Sequence, residues 1–303
     1  MIVVAGSPTD APVELVLDAA AAASIDVALL DDSDAASWNV TIDATGPAVR
    51  ATAKTTEGIV DLHEASGLYL RMTTRVQPVP GEDQLVGQRR EASLALLASW
   101  ADVAPGNVAN RPAAMATNSS KPYQAALIRA HGFSVPDTLV TNDPRAVQHF
   151  WSEQDRVIFK STSGVRSIVH ELDGRRASAL DRVRSLPTQF QRLLEGSNVR
   201  VHVVGDAVFA VGIESATVDY RYREGGETAT MTPYDLPDEV AERCRQISRA
   251  LDLPFTGIDL FLDTDGEWWC FEANPSPAFS CFEEPTGLPM AQALVAWLAA
   301  GEE

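Results

Sequence analysis

The sequence is poor in cysteine, poor in cations and free of long apolar runs, and each shortage removes a class of protein. Three cysteines, Cys244, Cys270 and Cys281, supply neither a disulfide framework nor zinc-ligand spacing. A reducing cytoplasm fits them best. No apolar stretch approaches the ~20 residues that span a bilayer. The opening Met1-Ile-Val-Val-Ala-Gly6 lacks the basic flank of a secretion signal and reads as a first strand. Lys and Arg number 24 against 42 Asp and Glu, a formal net charge of −18. That balance argues against non-specific nucleic-acid binding and against an anionic membrane surface. In so acidic a chain, cations that serve a polyanion must be gathered locally, so the placement of Lys and Arg is informative. Gly-x-Ser-x-Gly and the Gly-x4-Gly-Lys-Ser/Thr phosphate loop are both absent. The five histidines show no metal spacing, and no obvious covalent catalyst is left.

What is present is an ordinary globular composition, 45% hydrophobic and 22% charged. Its 303 residues suit two or three compact units at ~100–200 residues each. Residues 2–4 read as a strand, 12–24 as an alanine-rich helix and 26–31 as a second strand, a β-α-β order that predicts a small open α/β unit. Residues 41–56 read as a β-ribbon and 67–71 as another strand. Residues 84–101 read as a helix with Leu94, Leu97 and Trp100 on one stripe. Pro105-Gly106 marks a boundary, and Asn110-Arg-Pro112 reads as a linker loop. A helix over 121–131 closes on Gly132. A strand over 135–141 precedes a helix over 143–151 that starts with Pro144. Residues 157–160 form a short strand, 161–168 a Ser/Thr/Gly loop and 177–186 a short helix. Strands dominate after Pro187, at 189–194, 198–204 and 207–213, with Gly205-Asp206 as a hairpin turn. Helices over 237–250 and 292–300 follow, and 218–232 and 279–288 read as loops.

The chemistry concentrates late in the chain. Phe255-Thr-Gly-Ile-Asp-Leu-Phe-Leu-Asp263 and Trp268-Trp-Cys-Phe-Glu-Ala-Asn-Pro-Ser276 read as a hairpin about Asp263-Thr-Asp-Gly266. Glu272 and Asn274, two apart, leave one face of their strand, and Asp259 is the one charge in an apolar run. Three hard oxygen donors beside an apolar sheet describe a Mg²⁺ site, of the kind usually shared with nucleotide phosphates. In the plainer alternative, Asp259 caps a bend and Glu272 meets a surface arginine. Lys160 ends an apolar strand just before Ser161, Thr162 and Ser163, a place that suits a phosphate; the alternative is a snorkelling surface lysine. Lys121 opens a helix and is weaker on its own. Arg200, inside an apolar strand, needs an anionic partner if its face is buried, and Arg221 is a second candidate anion clamp. His202 reads as satisfied core structure rather than a catalyst. Cations and a metal without a nucleophile point to phosphoryl chemistry by positioning and electrostatics.

Taken in order, Asn118-Ser-Ser-Lys-Pro-Tyr-Gln124, Gly132 to Asn142, Val157-Ile-Phe-Lys160, Phe190-Gln191, Asn198 to Asp206, Asp219-Tyr-Arg221, Gly257-Ile-Asp-Leu260 and Phe271-Glu-Ala-Asn-Pro275 form one pattern. It resembles the ATP-grasp ligases, in their RimK-like branch, and within it the graspetide (microviridin-type) peptide macrocyclases. The resemblance spans about 108–300. It implies a mixed α/β and α+β chain: an N-terminal pre-ATP-grasp α/β domain over 1–107, a central lobe over 108–188, and an antiparallel-sheet lobe with the Mg²⁺ site over 189–303. It further implies that Lys121 and Lys160, with the loop carrying Ser161 and Ser163, hold the phosphates of ATP, and that Gln191 marks the hinge that receives adenine. By the same resemblance Asp259, Glu272 and Asn274 bind Mg²⁺, while Arg200 and Arg221 flank the γ-phosphate. The implied reaction turns a carboxylate into an acyl phosphate, which an amine or hydroxyl then displaces to give an amide or ester. The substrate would be a peptide or a small molecule, and a homodimer is an expectation of the family. A short segment between Lys160 and Phe190 leaves leader-peptide recognition open. An idle nucleotide-binding regulator on the same fold is the alternative from another class.

Overall fold

Every residue of Ile2–Gly6 is buried, as in a strand covered on both faces. In the computed structural model, which describes residues 1–72, 83–161, 169–215 and 229–301, this strand lies inside a parallel sheet. The order is Val27–Leu30, Ile2–Gly6, Gly67–Arg71, Asn107–Ala109. Helix Ala11–Ala22 starts with Pro12 in its first turn and buries Val13, Val16 and Ala20. An antiparallel ribbon, Asn39–Asp43, Arg50–Lys54 and Ile59–Asp61, packs with helix Gln84–Ala101, whose Leu97 and Trp100 are buried.

Asn110-Arg-Pro112, expected as a linker loop, is the short connection from a strand to helix Pro112–Met115. Asn107–Ala109 is a fourth strand of the first sheet, and Asn110 is buried. Its amide donates to the carbonyls of Phe255 (2.5 Å) and Pro275 (2.6 Å) and accepts from the Phe255 N–H (3.1 Å). An Asn before Arg-Pro has loop composition, but here it satisfies backbone groups that burial would otherwise orphan.

A second, antiparallel sheet runs His170–Glu171, Val157–Ser161, Thr188–Arg192, Thr138–Thr141. Its last strand begins at Thr138, three residues later than the sequence implies. The helix expected over 177–186 is split into Gly174–Ala177 and a 3₁₀ segment, Leu180–Ser185.

The third sheet is antiparallel and has five strands, in the order Thr230–Pro233, Ala207–Glu214, Gly196–Val204, Phe255–Asp263, Trp268–Asn274. Val199, Val201, Val203, Ile258, Leu260 and Cys270 turn one face toward helices Asp238–Ala250 and Lys121–Ala130. The opposite face of the same strands carries Arg200, His202 and Asp259, as strand alternation requires. Helix Met290–Ala300 closes the chain. Its Leu294, Val295 and Leu298 share one core with Ile2 and Val4 of the first sheet and Val204 and Val211 of the third. A side chain at Gly67 would run into the Leu298 carbonyl oxygen at 2.4 Å, so glycine lets that helix lie on the strand. The loop expected over 279–288 contains helix Ser280–Thr286, ended by left-handed Gly287. Among the described residues, no helix is long and apolar enough to cross a membrane.

Candidate active site

Pairing register builds the site. Arg200 lies opposite Asp259, and Asp259 lies opposite Glu272, so a cation and two carboxylates form a row across three neighbouring strands. The register slips between Asp259 and Leu260, which pairs with Cys270 and leaves Phe271 as the extra residue of a β-bulge. Cys270 and Ala273 therefore both face the core, while the consecutive Phe271 and Glu272 both line the cleft on the other side. Regular alternation would have sent one of that pair inward.

The cleft, about 420 Å³, lies between the second and third sheets. Ile158, Lys160 and Gln191 line it from one side; Arg200, Asp259, Phe261, Phe271 and Glu272 line it from the other. Leu193, Leu194 and Glu195, the segment joining the sheets, line it as well. Apolar walls with a few convergent charges are the usual make-up of a small-ligand pocket, and this volume is within the usual range.

Each carboxylate meets a cation. Arg200, a residue only 5% exposed, donates from Nη1 to Asp259 Oδ1 at 2.5 Å. The Lys121 ammonium reaches Glu272 Oε2 at 3.0 Å and Asn118 Oδ1 at 2.9 Å. Lys121 gets there because its helix packs on the third sheet, where Gln124 bonds both backbone groups of Ala273. His202 is fully buried beside Arg200, and burial first, then the Arg200 charge, holds its pKa well below the ordinary value. The Arg200 Cζ sits 5.5 Å from the centroid of the Phe282 ring.

Of the residues expected to act, Lys160, Gln191, Arg200, Asp259 and Glu272 share the cleft, and Lys121 joins them through Glu272. Gln191 is buried and donates to Thr138 Oγ1 at 3.0 Å. Ser161 ends its strand opposite Thr188 at an exposed position. Asn274 pairs with Gly257, and its Oδ1 accepts from the Ser276 N–H at 3.0 Å, capping the turn that follows. Ser163 and Arg221 lie outside the described residues. Among the described residues, no group of three or more His, Cys, Asp or Glu is set to hold a metal. Two carboxylates and an amide are nevertheless a donor set that fits Mg²⁺, which keeps several of its own waters.

Three features escape sequence reasoning. Phe271 enters the cleft only through the bulge, although the unbroken run Trp268-Trp-Cys-Phe271 already conflicts with strict alternation. Arg156, at the rim, grips Glu171 with two 2.8 Å contacts and reaches Glu195 at 3.1 Å. Arg71, from the first sheet, binds Asp10 at 2.6 Å and donates to the Ser276 hydroxyl and the Ser276 and Pro277 carbonyls. It ties the first sheet to the turn after Asn274.

Comparison with known proteins places this geometry. Residues 119–298 match the RimK-like ATP-grasp domain family. N-acetylaspartylglutamate synthase A of Mus musculus is 26% identical in an alignment 193 positions long, which covers 59% of this chain and 50% of that protein. The chain thus spans about half the length of the curated relatives it matches. The macrocyclase MdnC, bound with precursor peptide MdnA from Microcystis aeruginosa MRC, is similar in fold, with a TM-score of 0.82 at 21% identity over 99% of this chain and 100% of that one. The ATP-grasp ligase PsnB, complexed with a phosphomimetic variant of its minimal precursor, Mg and ADP, has a TM-score of 0.81 at 26% identity over 99% and 97% of the two chains.

Proposed function

The chain belongs to the RimK-like ATP-grasp family, and from that premise we propose that it is an ADP-forming ligase that activates a peptide carboxylate with ATP and joins it to an amine or hydroxyl. The observation that carries this reading is the cleft itself, where Lys160, Gln191, Arg200, Asp259 and Glu272 converge between two sheets.

Each residue then has a task. Gln191 and the segment after it receive the base, with Phe261 and Phe271, whose rings lie 5.7 Å apart, as apolar walls. Lys121 and Lys160, with Ser161, Ser163 and their loop, hold phosphate oxygens. Asp259, Glu272 and Asn274 would hold Mg²⁺, which supplies charge neutralisation at the phosphates when bound. Arg200, with Arg221, faces the charge that develops as the phosphoryl group passes to the substrate carboxylate, a task of electrostatic stabilisation rather than covalent catalysis. Attack of an amine or hydroxyl on the acyl phosphate releases phosphate and forms the amide or ester. Peptide as the substrate class is supported by the precursor peptides bound to MdnC and PsnB. Ligation of a small carboxylate to an amine is the second reading, favoured by the synthase relatives.

Thermal unfolding with and without Mg²⁺·ATP tests the site. At ~100 Kd of ligand, binding adds about 2.7 kcal/mol, a clear upward shift in the wild type that Lys160→Ala and Glu272→Ala should both abolish. ADP release on adding acidic peptides, against small carboxylates plus amines, then separates the two readings. No nucleotide-dependent shift in the wild type overturns both.

A further inference from the structure

His202 is fully buried, and its Nδ1 has no hydrogen-bond partner among the described residues. A polar nitrogen left so is unfavourable, and packing alone would select an apolar side chain. The other ring nitrogen explains its presence. Nε2 lies 3.4 Å from Arg200 Nε, close enough to accept from that N–H. Among the described residues, Arg200 is held from three further directions. Its Nη1 meets Asp259, and the Phe282 ring faces its Cζ while also packing on His202, with those two rings 5.1 Å apart. Beneath it lies Gly257, the cross-strand neighbour of His202. A β-carbon on Gly257 would stand 1.9 Å from Arg200 Nη2, so the guanidinium occupies the space that the missing side chain leaves.

We propose that His202 is a positioning residue for Arg200, fixing its Nε–H end while Asp259 fixes Nη1, over a floor made by Gly257 and a wall made by Phe282. A guanidinium is a planar fork, so two anchored nitrogens define the plane and direction of the rest. The catalytic consequence rests on the reading that Arg200 stabilises the transferring phosphoryl group; the geometric one does not.

The experiment compares wild type, His202→Leu and His202→Gln, the last keeping a neutral acceptor. The first readout is independent of turnover: side-chain NMR of ¹⁵N-arginine-labelled protein. Arg200 Nε–H should exchange slowly with solvent in the wild type and His202→Gln, and quickly in His202→Leu. Equal protection in all three overturns the proposal. The second readout is kinetic. His202→Leu should keep its melting temperature and its KM for ATP within twofold while kcat falls about 10- to 100-fold, the penalty of a misplaced group, and His202→Gln should recover most of it. A His202→Leu protein that is less stable yet turns over at the wild-type rate also overturns the proposal. If the wild type turns over no carboxylate at all, the ligase reading fails, and the exchange measurement still decides what His202 does.

Discussion

Arg200 and Asp259 are both withdrawn from bulk water, with 6% and 22% of their side chains exposed. Two charges in such a place depend on each other far more than a surface pair does. Asp259→Asn keeps the shape and removes the charge, and should lower unfolding free energy in urea by about 3 kcal/mol, a loss typical of breaking a buried pair. A loss no larger than that of a surface pair, under ~1 kcal/mol, would show that Arg200 does not need this carboxylate. His202 gives a pH signature of its own. Its folded-state pKa is held well below 6.5, so below that pH the unfolded chain takes up a proton that the folded one refuses. Stability is therefore complete above about pH 6.5 and falls as pH drops through it, by up to ~1.4 kcal/mol per unit. Glu171, depressed by Arg156, and Asp263, depressed by Trp269, contribute only in the more acidic carboxylate range. Urea titrations at pH 7 and pH 5.5 should show a smaller loss for His202→Gln than for the wild type. Equal losses would contradict the buried neutral imidazole. At this scale the sequence singled out Lys160, Arg200 and Asp259 as candidates, because a lone charge in an apolar run is conspicuous, and the fold brings them into one cleft. Which cation meets which carboxylate depends on strand register, and was hidden.

Hairpin signals at Gly205-Asp206 and Asp263-Thr-Asp-Gly266 were legible because a turn has local chemistry. Gly205 and Gly266 take positive φ, and Asp263 Oδ1 accepts from the Asp265 and Glu267 N–H groups. The Phe271 bulge and helix Ser280–Thr286 were not legible. The bulge answers a conflict between core-facing Cys270 and Ala273 and cleft-facing Phe271 and Glu272, which only the neighbouring strand resolves. The helix carries Pro285 and is short, so its local propensity is poor; Phe279 and Phe282 anchor it by burial in the core beneath. Gly196, where the joining segment enters the third sheet, has φ +152, and a β-carbon there would stand 2.1 Å from the Leu262 carbonyl oxygen. Gly196→Ala should cost about 1–3 kcal/mol through overpacking and weaken nucleotide binding at the cleft it lines. An unchanged denaturation midpoint and an unchanged nucleotide shift would show that this entry point yields without consequence.

At the scale of the molecule, the first and third sheets are not independent. Helix Met290–Ala300 contributes to a core that also takes in Ile2, Val4, Val204 and Val211, while Asn110 and Arg71 tie the first sheet to the turn after Asn274. Leu294, fully buried at that junction, should lower stability by about 2–5 kcal/mol when cut to alanine. Because the core is shared, unfolding should remain one cooperative transition by circular dichroism and by tryptophan fluorescence alike. A separate early transition of the first sheet would show that the junction is only a contact between independent units. A separate core, in which Ile128 meets Val199, Ile258 and Cys270, packs the Lys121 helix, expected in the central lobe, on the third sheet and brings its ammonium to Glu272.

The sequence by itself determined the class of fold, the order of most elements and the identity of the chemical groups, since period, turn residues and isolated charges are local and survive without context. Tertiary structure alone decided how they meet. Register set Arg200, Asp259 and Glu272 in one row, a bulge turned Phe271 into the cleft, and a glycine opposite a buried histidine left room for one guanidinium. Those outcomes depend on contacts between residues far apart in the chain, where burial and hydrogen-bond satisfaction outweigh local preference.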